Sequence, residues 1–340
     1  MEKNRLRSVM AFFGLGDARR QAEQNAFKDA NGANPFHDDQ TPAFTTAPDV
    51  AAHEHEAQAG TPVPAPQPVQ HNAVAFYGVS DAGLKRGNNE DHFIIADLAH
   101  HTIAVNDNVM VPGHAYYDIE AAGALLAVAD GLGGHDDGEV ASLITVEAIV
   151  QTLFAINGQE LSAAERLLQA VQEAHRSIGR YIGSVPGSRS MSSTLTAVHV
   201  SQDEITIAQV GDSRAYVFSN GVLTQLTEDQ TIVQMMLKKG MLTEEEADNH
   251  PDRHVILQAL GQGRAITPEI ESYSFQHGDC LLLCSDGLSS YVAHEDIEAI
   301  LTQYPNENEC CQRLLDAALE VGGHDNVTIL IARLMTPQPA

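Results

Sequence analysis

Acids stand where apolar runs begin or end at four places in this 340-residue chain. In VADGLGGHDDG the run Leu125, Leu126, Ala127, Val128 leads to Asp130-Gly131. In LLLCSDGL the run Cys280 to Cys284 leads to Asp286-Gly287. In GGHDNVTILIARL, Asp325 and Asn326 precede a long apolar run, and in KRGNNEDHF, Glu90 and Asp91 open another. A carboxylate at the mouth of a core strand loses hydration unless something pairs with it. If the four ends meet, their oxygens form a cage for hard divalent cations such as Mg2+ or Mn2+. Gly131 would let the backbone turn and bring its carbonyl to such an ion. One Asp-Gly alone reads more readily as a turn; four sites with matching context point to a cage. Arg86 is the cation among these acids. Its guanidinium fork suits phosphate oxygens, although an ion pair with Glu90 or Asp91 is the plainer use.

The elements that must carry these residues are short. Alternating or continuous apolar runs predict strands over Val74–Ser80, His92–Ala96, Leu125–Ala129, Thr194–Val200, Glu204–Val210, Arg214–Phe218, Cys280–Cys284 and Val327–Leu334. Helical spacing predicts helices over Glu139–Ile156, Ala163–Ile182, Gln230–Lys239 and Glu307–Val321. In the first, Val140, Leu143, Ile144, Ile149, Val150, Leu153 and Phe154 make an apolar stripe. Thr243 with Glu246 reads as a capping box opening a further short helix. Strand pairs with few crossover helices favour antiparallel sheets, covered outside by helices.

Composition narrows the partners. Lys and Arg number 19 against 46 Asp and Glu, a net charge of -27, which argues against nonspecific binding to nucleic acid or anionic membranes. Cys280 and Cys284 share a strand face, ~13 Å apart at strand rise, too far to bridge. Cys310 and Cys311 fall on a helix with a stripe of Cys311, Leu314, Leu315, Ala318 and Leu319. All four read as reduced, buried thiols of a cytoplasmic protein. The basic start, Lys3, Arg5 and Arg7, precedes only a short apolar stretch, Val9 to Leu15, which fits a docking helix better than an export signal. No segment is expected to reach the ~18 apolar residues of a membrane span. Residues 29–72 hold seven of the fourteen prolines and no Lys or Arg, the composition of a tether. The organisation expected is an N-terminal extension at 1–72, a globular domain at 73–335 and a tail at 336–340.

Taken in order, SDAGLKRGNNED, VADGLGGH, STLTAVHV, VGDSRAYVF, LTEDQTIVQMMLKKGMLTEEEADNHP, LLLCSDGL and GGHDNVTILIARL resemble the motif set of the metal-dependent protein phosphatases of type 2C, over roughly Ala75 to Leu334. Each motif is weak alone; seven in order are specific. The resemblance implies an α+β fold, an αββα sandwich of two antiparallel sheets flanked by helices. It implies a protein serine/threonine phosphatase that acts as a monomer and opposes a Ser/Thr kinase. Two Mn2+ or Mg2+ ions would activate a water for in-line attack on phosphorus. By motif, Asp130 would bridge two metals, the Gly131 carbonyl would bind one, Asp286 and Asp325 would hold the first, and Glu90 and Asp91 would act at the second. Arg86 would bind the substrate phosphate, and Asn326 would help shape the site. Thr227–Gly261 corresponds to the family's flap beside the active site, with packing by two core helices still compatible.

The chain also departs from the pattern. Many eukaryotic relatives carry a His just after the bridging Asp, proposed as the general acid; here Leu132 occupies that neighbourhood and His135 is displaced. Several bacterial relatives carry an acid before the TTLT-like strand that supports a third metal; none lies between Gly183 and Thr196, so two metals are expected and a third would have to rest on water and Asp286. Leu98–Gly123 is longer than in compact relatives and could be a hairpin or a partner surface. The alternative function is a catalytically weak phosphoprotein-binding or scaffolding module of the same fold; the intact set of acids speaks against it. Deleting residues 1–72 should leave small-substrate turnover and melting temperature nearly unchanged, since that stretch has too few apolar residues to join a core. A collapse of folding in the truncated chain would show the opposite.

Overall fold

The structure is a computed structural model that describes residues 73–105, 115–118, 122–133, 137–185 and 191–335. The expectations for residues 1–72, 336–340 and His135 lie outside the described residues. Two six-stranded sheets form the centre. One runs β11(Val222–Gln225), β10(Arg214–Ser219), β13(Cys280–Cys284), β14(Val327–Met335), β1(Ala73–Asp81), β4(Ala115–Asp118). The other runs β12(Glu269–Ser274), β9(Glu204–Val210), β8(Leu195–Val200), β5(Ala124–Ala129), β2(His92–Asp97), β3(Thr102–Val105). Every pairing within them is antiparallel. Helices α1(Asp137–Ala155) and α2(Ala163–Ser184) cover the second sheet, and α7(Glu307–Glu320) covers β1 and β14. Three shorter helices, α4(Glu244–Asp248), α5(Asp286–Ser289) and α6(His294–Gln303), and the flap helix α3(Ile232–Lys238) complete the described residues. This is the αββα sandwich.

The core follows from alternation. Phe76, Leu281, Leu283 and Leu330 of the first sheet face Phe93, Leu126, Val128 and Ile207 of the second, all buried. Their alternating neighbours Tyr77, Leu282, Ile329 and Ile331 point outward instead, onto Leu301, Cys311 and Leu314 of α6 and α7. Two-sided burial explains why β13 and β14 read as continuous apolar runs rather than as alternating ones.

Several expectations are corrected. The strand expected at Thr194–Val200 is broken at Thr194, where a ribbon of β6(Gly131–Gly133) and β7(Met191–Ser193) branches off. Thr194 serves Asp130 rather than the ladder: its N–H donates to the Asp130 carbonyl at 2.9 Å, and its Oγ1 accepts the Asp130 N–H at 3.0 Å. Helix α1 has no single apolar stripe, since 13 of its 19 residues are buried around its circumference, while Phe154 is only half-buried. Its length and composition would also suit a membrane span, and its burial identifies the apolarity as that of a core helix. Within Leu98–Gly123, β3 joins β2 and β4 joins β1, in opposite sheets. The flap helix starts at Ile232 rather than Gln230, because Thr231 caps it by accepting the Gln234 N–H. The capping box of Thr243 and Glu246 is present.

Candidate active site

The strand ends meet. The Asp130 side chain leaves the end of β5, Asp286 opens α5 beyond β13, Asp325 precedes β14, and Glu90 and Asp91 precede β2. A cavity of about 590 Å³ is lined by Arg86, Glu90, Asp130, Gly131, Asp286, Asp325 and Asn326, with His254, Tyr291 and His324 on its walls. Asp91 lies behind this lining, 1% exposed. Its Oδ2 accepts from the Ser285 hydroxyl at 2.7 Å, and its Oδ1 is buried with no hydrogen-bond partner.

Backbone and side chain fix these positions. Asn326 clamps the loop between β1 and β2: its Oδ1 accepts the Glu90 N–H at 2.8 Å, and its Nδ2 donates to the carbonyls of Ala82 and Asn88 at 3.0 and 2.9 Å. Gly131 does not stand in the left-handed region, so turn-making is not its purpose. A Cβ there would sit 2.1 Å from the Gly138 carbonyl oxygen and 2.6 Å from that of Glu90. Only glycine lets these three backbones meet. Gly138 leaves room in the same way for the Glu90 carboxylate, 2.8 Å from where a Cβ would be.

Arg86 reaches the site, but it pairs with neither Glu90 nor Asp91. Its Nη2 donates to Asp325 Oδ2 at 2.6 Å, with the side chain 53% exposed at the cavity rim. That bond raises the guanidinium pKa further. His254 Nδ1 stands 3.6 Å from Asp286 Oδ2, and Asp286 raises its pKa.

One member of the ring was not singled out from the sequence. Asp212, in VGDSRAYVF, is 9% exposed and lines the same cavity. It also lines a neighbouring cavity of about 540 Å³ under the flap, shared with His254 and Asp286. The signal was available: β9 ends at Val210, and Gly211-Asp212 repeats the pattern of an acid at a strand end. Gln230 ties the flap to this corner, accepting the Gly211 N–H at 3.0 Å and, through its carbonyl, the Leu257 N–H at 2.7 Å. The flap is no pair of core helices: Val233 is buried, whereas Met235, Met236 and Leu237 are half-buried and Met241 and Leu257 exposed.

The charge in this corner is under-compensated. Burial, with the charges of Asp286 and Asp325 added, pushes Asp91 up to about 7. Burial, with Asp286 and Asp229, pushes Asp212 up to about 7. Burial, with Asp91 and Asp286, raises Asp130 well above the usual carboxylate range. Among the described residues, no three of these side chains converge as a ready ligand set; Arg86 holds Asp325, His254 stands by Asp286 and Ser285 holds Asp91. The donors nevertheless fit hard divalent cations: all are oxygens, one is orphaned, and positive charge is what the corner lacks. The four cysteines are free and buried, three with thiols pushed up to about 12 and Cys311 well above its ordinary value. None suits a nucleophile.

Comparison with known proteins agrees with this geometry. Residues 113–320 match the family model described as protein phosphatase 2C. The chain is 37% identical over 253 residues to the serine/threonine protein phosphatase PstP of Mycobacterium tuberculosis, covering 74% of this chain and 43% of that protein. It thus spans less than half the length of that relative. It is 36% identical over 211 residues to the serine/threonine phosphatase stp of Listeria monocytogenes, covering 61% of this chain and 83% of that one. The crystal structure of the PstP catalytic domain in complex with two manganese ions superposes with a TM-score of 0.62 at 33% identity, covering 78% of this chain and 99% of that one.

The raised carboxylates set a pH dependence. An unfolded Asp titrates near 3.9, so between about pH 4 and 7 the folded chain holds protons at Asp91 and Asp212 that the unfolded chain has released. Their contribution to stability therefore falls as pH rises through that window. Buried His92, His175 and His199, with lowered pKa values, act in the opposite sense. A variant comparison separates the two. In chelator, the melting temperature of Asp91→Asn minus that of the parent should increase from pH 5 to pH 8; a flat difference would show that Asp91 is not destabilised by its charge.

Proposed function

The chain belongs to the protein phosphatase 2C family, and from that premise we propose that it hydrolyses phosphoserine and phosphothreonine on proteins at the acid-lined cavity, with two Mn2+ or Mg2+ ions as resident cofactors. The observation that carries the reading is the convergence of acids from four strand ends on one cavity with a guanidinium at its rim. Asp130, the Gly131 carbonyl, Asp286 and Asp325 would hold the metals, with Glu90 and Asp91 acting at the second. Cations held there supply Lewis-acid stabilisation of phosphoryl oxygens and lower the pKa of water. The chain's own groups do the rest. Arg86, exposed on the cavity side, exchanges Asp325 for phosphoryl oxygens and stabilises charge on the equatorial oxygens. Asn326 keeps the loop carrying Arg86 and Glu90 in place. The substrates would be phosphoproteins made by a Ser/Thr kinase, met by a single copy of the chain in the cytoplasm. Four unbridged cysteines support a reducing compartment.

Purified protein should hydrolyse para-nitrophenyl phosphate and a phosphothreonine peptide only with Mn2+ or Mg2+ present, and Asp130→Asn should abolish turnover. Full activity in excess chelator would sink the mechanism. Binding of the phosphopeptide without turnover in the metal-loaded parent would favour the binding-module alternative.

Arg86→Ala should lower kcat/KM by roughly 10- to 150-fold, the equivalent of one charge-assisted bond of ~1.5–3 kcal/mol. Metal affinity should hold or rise slightly, since Asp325 loses its partner. Arg86→Lys should recover part of the loss, keeping the charge without the fork. Unchanged kcat/KM in Arg86→Ala at saturating metal would remove this side chain from phosphate binding.

A further inference from the structure

We propose that Ser142 and His92 are positioning residues that set the metal affinity of the site by fixing Glu90 and Gly131, an inference that rests on the metal-dependent reading above. Ser142 sits in the second turn of α1 and is wholly buried. Its hydroxyl is 2.5 Å from the Glu90 carbonyl oxygen, closer than to the Gly138 and Glu139 carbonyls at 3.2 and 3.1 Å. The Glu90 carbonyl also accepts the Gly131 N–H at 3.2 Å. One oxygen therefore joins three segments: the start of β2, the start of β6 and the first turns of α1.

The hydroxyl has a single proton, and the shortest contact assigns it to the Glu90 carbonyl. His92 Nδ1 lies 2.9 Å from the Ser142 oxygen. With the hydroxyl proton committed, Nδ1 must be the donor, which fixes the His92 tautomer. The chain of bonds then runs in one direction, from His92 Nδ1–H to Ser142 Oγ and from Ser142 Oγ–H to the Glu90 carbonyl. Each donor strengthens the next by polarisation. Neither side chain lines the cavity, so neither touches a metal or substrate. Their effect passes through the backbone, which carries the Glu90 carboxylate and the Gly131 carbonyl. Gly138 belongs to the same arrangement, since its missing Cβ admits the Glu90 side chain from the facing turn.

Outer partners of metal ligands typically change metal affinity about 10- to 100-fold when removed. The test is a direct one: Mn2+ titrated into chelator-stripped, full-length protein and followed by calorimetry, beside a melting curve for each variant. Ser142→Ala should weaken Mn2+ binding by about 10-fold or more and leave kcat at saturating Mn2+ much less affected. A role confined to stability would lower the melting temperature and leave the titration unchanged. His92→Asn places an amide N–H where Nδ1–H stood and should retain most of the affinity, whereas His92→Leu should lose it. A folded Ser142→Ala protein that binds Mn2+ within twofold of the parent would overturn the proposal. Should Ser142→Ala not fold, the pair at His92 decides, and equal affinities for Asn and Leu would overturn it. A parent protein that binds no Mn2+ would instead bring down the metal-dependent reading, and this inference with it.

Discussion

Asp91, Asp130, Asp212, Asp286 and Asp325 gather their negative charge at one end of a close-packed sandwich, and the surrounding structure is arranged to withstand it. Two like charges 4 Å apart near a protein surface repel by on the order of 4 kcal/mol. A whole domain is stable by only about 5–15 kcal/mol. No loop could hold such a cluster by itself. The acids are instead tied to the ends of β2, β5, β9, β13 and β14, whose remaining residues are almost wholly buried. Separating the acids would mean pulling those strands apart, so the core's cohesion keeps the charges together.

The polar groups around the acids divide this task. Ser285, at the end of β13, donates to Asp91 and accepts the Thr328 N–H at 2.9 Å, so one hydroxyl links an acid to the neighbouring strand. Asn326 uses both ends of its amide on the loop before β2. Arg214 is held by Asp229 through two bonds of 2.8 and 2.7 Å just beyond Asp212. The bonds of Ser285 to Asp91 and of Asn326 to the loop before β2 join segments far apart in sequence, which makes the corner a product of tertiary structure.

Much of this was legible in the sequence because the signals were periodic and repeated. Leu125–Ala129 and Cys280–Cys284 read as strands since burial leaves no polar residue inside them. The acids Glu90, Asp91, Asp130, Asp286 and Asp325 stood out by their shared place at strand ends, and the order of motifs pointed to the family. Most of what the sequence conceals lacks such a pattern. β6 and β7 have three residues each and form only because Gly131 can approach other backbones. β12 alternates weakly and is largely exposed. The Asp325 partner of Arg86 is hidden in the sequence because it lies 239 residues away, whereas Glu90 is near. Asp212 shares the strand-end pattern, but Gly211 before it and Ser213-Arg214 after it read by themselves as a hairpin.

The placing of β3, β4, β11 and β12 has a consequence for how the chain meets other chains. An outermost strand offers a row of unpaired N–H and C=O groups on which a foreign strand can grow. Here the long apolar strands β1, β2, β13 and β14 are all interior to their sheets. Three of the four rims are formed by strands of only four residues, β3, β4 and β11. The fourth, β12, is longer but carries Glu269 and Glu271, and two carboxylates along a rim discourage a growing template. The sandwich thus shields its most aggregation-prone segments by the order in which it lays them down.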